Sequence, residues 1–113
     1  MTTAYKILTG PQWQAFVAEG RFAGAPIDLA DGYVHLSTAE QLTETADKHF
    51  AGQSGLWVAA IDLDLLGAAV KWEPSRGGAL FPHVYAALPM DAVIAAAPLD
   101  RGEDGAVVLP SAD

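Results

Sequence analysis

Apolar positions change their period several times along the chain, and each change marks an element. "AYKIL" (4–8) is a short run of strand type, while Trp13, Phe16 and Val17 in "TGPQWQAFVAEGRF" recur at i, i+3 and i+4. That stripe belongs to an amphipathic helix packing on a core. Thr9 stands in a capping position, Pro11 falls early in the helix and Gly20 ends it. "AGAPIDLADG" is dense in turn formers and predicts a loop. In "YVHL" and the residue after it the period becomes two, placing Tyr33, His35 and Ser37 on one face of a strand and Val34 and Leu36 on the other. Ser37 and Glu40 have the spacing of a capping box, so "TAEQLTETADKHF" predicts a helix starting just after Ser37, with Leu42, Ala46 and Phe50 on its apolar face.

The second half is dominated by strands. "GLWVAAIDL" (55–63) has the composition of a buried strand, and "DLLGAA" that of a turn or a single helical turn. "VKWE", "HVYAAL" and "AVIAAAPL" follow as strands, separated by the polar loop "PSRGGALF" and a turn at Pro89, Met90 and Asp91. "AVVL" (106–109) is a candidate last edge strand. Two early helices followed by several strands predict an α+β architecture, and 113 residues suffice for one core, so residues 1–113 read as a single domain.

Composition narrows the function classes. Six basic residues against fourteen acidic ones give a net charge of −8 and a pI near 4.5, which argues against a broad nucleic-acid or anionic-membrane surface. A local basic contact remains open if Lys6, Lys71 and Arg76 converge. The chain has no cysteine, which excludes disulfides and thiolate chemistry. "MTTAYKILTG" lacks the basic start and long apolar run of a signal peptide, and no apolar stretch has the length of a membrane span, so a cytoplasmic protein is expected. Oligomeric state is left open.

Two stretches carry the candidate chemistry, "DGYVHLST" (31–38) and "EPSRGGALFPHVY" (73–85), and they are expected to meet in one pocket. His35 stands just before a helix start whose N–H groups, with the hydroxyls of Ser37 and Thr38, could receive a phosphate or another anion; for Ser37 alone the simpler reading is a helix cap and nothing more. His83 and Tyr85 share one strand face and Val84 takes the other. Arg76 and the Gly77–Gly78 pair precede them, supplying a cation and permissive backbone. Glu73 could bind a hydroxyl pair, polarise a nucleophile or pair with Arg76, and Trp72 could wall a pocket for a flat ring or belong to the core. His49 reads as a surface residue compensating a helix dipole. Two histidines on separate strands without HExxH-type spacing give no metal site. GxSxG, P-loop and GxGxxG signatures are all absent.

"DLADGYVHLSTAEQ" together with "KWEPSRGGALFPHVY" resembles, over nearly the whole chain, the small bacterial family catalogued as domain of unknown function 952. The resemblance implies an ADP-ribosyltransferase-like fold: a bent, split β-structure with two N-terminal helices and a cleft of the kind that holds a nicotinamide dinucleotide. "YVHLSTAEQLTETA" is similar to the strand and helix of RNA 2′-phosphotransferases and of poly-ADP-ribosyltransferases, which implies that His35 takes the His or Tyr position of the motif and Ser37 the small residue after it. "PHVYAALPMDAVI" resembles the strand bearing the transferases' catalytic glutamate, and His83 falls where that glutamate would be. Ordinary NAD-dependent ADP-ribosylation is therefore in question, because an imidazole does not replace a carboxylate beside a cationic transition state. Lys6 falls where other members carry His or Arg, which implies a phosphate contact.

The expected function is binding of NAD or a related nucleotide by His35, Ser37, Thr38, Trp72, Glu73, Arg76, Tyr85 and Lys6, with His35 or His83 as acid or base in ribosyl or phosphate transfer or hydrolysis. The alternative is a non-catalytic ligand sensor or protein-interaction module on the same fold.

Overall fold

A computed structural model describes residues 2–111, with Arg76 described in its backbone alone. Strand β1 (Thr3–Leu8) leads into helix α1 (Gly10–Glu19), the short strand β2 (Arg21–Phe22), helix α2 (Pro26–Asp31), the short strand β3 (Val34–His35) and helix α3 (Ala39–His49). The rest comprises β4 (Trp57–Asp62), the single turn α4 (Leu63–Leu66), β5 (Val70–Pro74), β6 (Leu80–Val84), β7 (Leu88–Pro89) and β8 (Val93–Pro98). The architecture is α+β.

The strands form three antiparallel groups, ordered β1-β4-β8, β2-β7 and β3-β6-β5. The first and third are stitched together by a bridge between Tyr5 and Ser37, whose backbone groups exchange hydrogen bonds of 2.7 and 2.9 Å. β4 is central in its sheet and buried on both faces, which is why it lacks alternation. Its two faces feed two apolar clusters, Ala59 and Ile61 packing with Leu8, Phe16 and Leu88, and Val58 packing with Ile7, Leu42 and Ala46.

Several expectations change here. "APIDLAD" is a helix and not a loop: Pro26 takes the first helical position, Asp28 accepts from the Ala25 N–H at 2.7 Å, and Gly32 closes it with φ 89°. The cap of α3 is Thr38, not Ser37. Thr38 Oγ1 accepts from the Gln41 N–H at 3.3 Å and Gln41 Oε1 accepts from the Thr38 N–H at 3.0 Å, so the box begins one residue later. Val17 is 54% exposed rather than core, because α1 buries a narrow strip centred on Phe16, from which Val17 is turned by about 100°. Trp13 is half-buried and stacks on Trp57 at 5.4 Å. Tyr85 lies beyond the end of β6, and of "AVVL" only Val107 forms a bridge, to Arg101. No helix among the described residues is long and apolar enough to cross a membrane.

Candidate functional site

The two polar stretches meet where β3 pairs with β6. His35 and His83 are direct cross-strand partners, their rings edge-on with centroids 5.5 Å apart. Alternation puts Val34 and Val84 on the buried face and both imidazoles on the other, beside a cavity of about 700 Å3 that they help to line. Tyr33 stands over the pair, 4.1 Å from the His83 ring and near parallel to it, and 4.6 Å from the His35 ring.

Each histidine is held by a carboxylate, but differently. His83 is 3% exposed; its Nδ1 lies 2.7 Å from Glu73 Oε1, which also accepts from the Tyr85 hydroxyl at 2.8 Å. A carboxylate only accepts, so Nδ1 donates and Nε2 is left as the nitrogen without a protein partner among the described residues. The hydrogen bonds from His83 and then Tyr85 hold the Glu73 carboxyl below its usual range, and the same bond to Glu73 raises the Tyr85 hydroxyl. Lys71, across from His83 in the β5–β6 register, lies 5.4 Å from the Tyr85 ring centre.

His35 is enclosed on both sides. Its Nδ1 lies 2.6 Å from Asp28 Oδ1 and its Nε2 2.9 Å from Asp31 Oδ2. Asp28 is the hub of this half. Besides His35 Nδ1 it accepts from the His35 N–H at 3.0 Å, the Ala25 N–H at 2.7 Å, and Lys6 Nζ at 3.1 and 2.9 Å. Burial alone would raise this carboxyl, but the His35 bond, the Lys6 ammonium and the two backbone N–H groups outweigh it and hold it at about 2. Burial pulls Lys6 below its ordinary value while Asp28 opposes.

This arrangement corrects several expected roles. Lys6 is no strand-edge phosphate contact: it is 7% exposed, and its three donors go to the two Asp28 oxygens and the His35 carbonyl at 3.0 Å. Lys6 and Lys71 therefore serve different partners, and the side chain of Arg76 lies outside the described residues. The Ser37 hydroxyl bonds Thr45 Oγ1 at 2.8 Å and that of Thr38 caps α3, so neither is an open anion contact, and Glu40 sits in the first turn. Trp72, 44% exposed, alternates away from Lys71 and Glu73 and lines neither of the two cavities. His49 is exposed in the last turn of α3, as expected of a surface residue, and with Lys48 borders the large cavity. Among the described residues no three His, Asp or Glu side chains converge as a metal would require.

A family model described as "Protein of unknown function (DUF952)" matches residues 7–96. The chain belongs to the DUF952 family. A search of curated proteins finds no match. Among solved structures the chain is similar to protein CC0527 from Caulobacter crescentus. Its X-ray crystal structure is 49% identical in sequence, with a TM-score of 0.86 over 96% of this chain and 95% of that one. Its solution NMR structure gives 50% identity and a TM-score of 0.80 over 95% and 91%. Of this DUF952 site Asp28 lies outside both polar stretches, and Asp31 and Tyr33, inside the first, have no role assigned from the sequence. The signal for Asp28 was present in "APID", a Pro at the first helical position followed by an acid three residues after the cap.

Proposed function

We propose that the large cavity binds NAD or a related phosphorylated nucleotide and that the protein transfers or hydrolyses a ribosyl or phosphate group there. The observation that carries this reading is the His83–Glu73 pair. A buried imidazole with Nδ1–H held by a carboxylate presents Nε2 as a proton acceptor, the arrangement that makes histidine a general base. In the proposed step Nε2 takes the proton of an attacking water or hydroxyl. The oxygen bonds the ribosyl carbon or the phosphorus as the leaving group departs with the electron pair of the broken bond. Glu73, supplied from the strand beside β6, stabilises the imidazolium that forms and restores a carboxylate next to the position where His83 replaces the transferases' glutamate. About 700 Å3 is a volume suited to a nucleotide, and Tyr33 adds an aromatic face at the histidine end. The split sheets joined through Tyr5 and Ser37 support an ADP-ribosyltransferase-like reading of the fold.

One observation favours the second reading, a ligand sensor without turnover: His35 has carboxylates on both nitrogens and so offers no open acid–base position. Calorimetric titration with NAD, ADP-ribose and a 2′-phosphorylated nucleotide, followed by mass spectrometry of the mixtures, separates the two. Catalysis predicts product, lost in Glu73→Gln with binding retained, because an amide that donates to Nδ1 moves the proton to Nε2. Binding without product selects the sensor, and no binding to any of the three overturns both.

A further inference from the structure

A second cavity, of about 330 Å3, lies on the other side of the Tyr33–His83 stack. Tyr33 and Asp28 line it, whereas their partners His83, His35 and Lys6 line the large one, so that stack and the Asp28 hub form the partition between them. Its remaining wall includes Arg21 from β2 and Tyr85, Ala86 and Ala87 from the turn after β6.

Arg21 and Lys71 are the described cations of this acid-rich chain without an ion pair, and Lys71 lies over the Tyr85 ring. Lys6 has Asp28, Lys48 has Glu44, and Arg101 has Asp47, yet Arg21 has no carboxylate within 4.0 Å among the described residues, although fourteen acids outnumber six bases. The N–H groups of exposed Ala86 and half-buried Ala87, which line the same cavity, likewise have no acceptor among the described residues. The one carboxylate in the wall, Asp28, is already neutralised by Lys6 and saturated with donors. A fork-shaped cation and two adjacent N–H donors in one concavity match an oxyanion.

We propose that this second cavity is an oxyanion subsite in which Arg21 and the N–H groups of Ala86 and Ala87 hold a phosphate or carboxylate. Only the identity of the ligand rests on the nucleotide reading above: a phosphate of the nucleotide would cross the Tyr33 partition and be held here while the reacting group faces His83. The test begins without any nucleotide. Backbone amide NMR of the full chain is followed during titration with inorganic phosphate and, separately, acetate, in the wild type and in Arg21→Gln. Saturable shifts of the Ala86 and Ala87 amides, lost in Arg21→Gln, are expected; a response to phosphate alone marks a phosphate site, and one to both marks a general oxyanion site. Absence of shifts, or equal shifts in the variant, overturns the subsite. ADP-ribose then tests the link. If it binds, Arg21→Gln should weaken it about tenfold and leave phosphate-free adenosine unchanged. Unchanged ADP-ribose affinity overturns the link while the nucleotide reading stands, and failure of ADP-ribose to bind the wild type overturns the reading while the phosphate titration still decides the subsite.

Discussion

His35 and His83 occupy equivalent places in facing strands, yet carboxylates engage both ring nitrogens of the first and only one of the second. His35 is fixed by two carboxylates and by its own backbone, with Asp28 collecting donors from β1, the start of α2 and β3. His83 is fixed through one nitrogen by Glu73, a carboxylate that is itself 36% exposed. The difference teaches that a buried, fully donated carboxylate organises structure, while a half-exposed one behind a buried imidazole fixes its tautomer and leaves the other nitrogen without a protein partner among the described residues.

The largest expected effect separates the two carboxylates as structural elements. Asp28→Ala strips the counter-charge from a buried ammonium and frees the Ala25 and His35 N–H groups, and should lower unfolding free energy by about 3–5 kcal/mol. Glu73→Ala should leave the denaturant midpoint much nearer the wild type. Equal losses in urea titrations would break the comparison. Lys6→Met should fall between them, because Asp28 retains His35 and two backbone donors when the ammonium is gone.

Acid should find the same asymmetry. The Asp28 carboxyl is held at about 2 in the folded chain against an ordinary 3.8, so the unfolded state binds the more protons between these values. Its contribution, about 2 kcal/mol, is complete above the unfolded value and is lost as pH falls through about 4 towards 2. Stability measured over that window should drop in the wild type and flatten in Asp28→Asn.

Much of this frame was legible in the sequence, and what was missed has physical causes. Period-two alternation placed both histidines and Tyr85 opposite Val34 and Val84, because a half-buried strand leaves that signature. The pairing of His35 with His83 could only be conjectured, since register between strands 48 positions apart is decided by tertiary contacts. Helix α2 was hidden by its own Pro, Gly and Asp, residues that mark turns and helix ends alike. The phosphate contact expected of Lys6 comes from the family resemblance alone; lysine is so seldom buried that its pairing with an acid 22 residues away has no local pattern to announce it.

The smallest expected effect tests how Glu73 is held. Two donors share its Oε1, the His83 ring and the Tyr85 hydroxyl, and the histidine exerts the stronger pull on its ionisation. Tyr85→Phe removes only the weaker pull, so the carboxyl should move part of the way back towards its ordinary value while Nδ1 of His83 stays engaged. Carboxyl carbon NMR titration reads that upward step directly. His83→Ala should move Glu73 further in the same direction. If Tyr85→Phe moved it as far as His83→Ala, the tyrosine would hold the carboxylate as strongly as the imidazole does, and the His83–Glu73 bond would not be the chief anchor that the Asp28 bond is for His35.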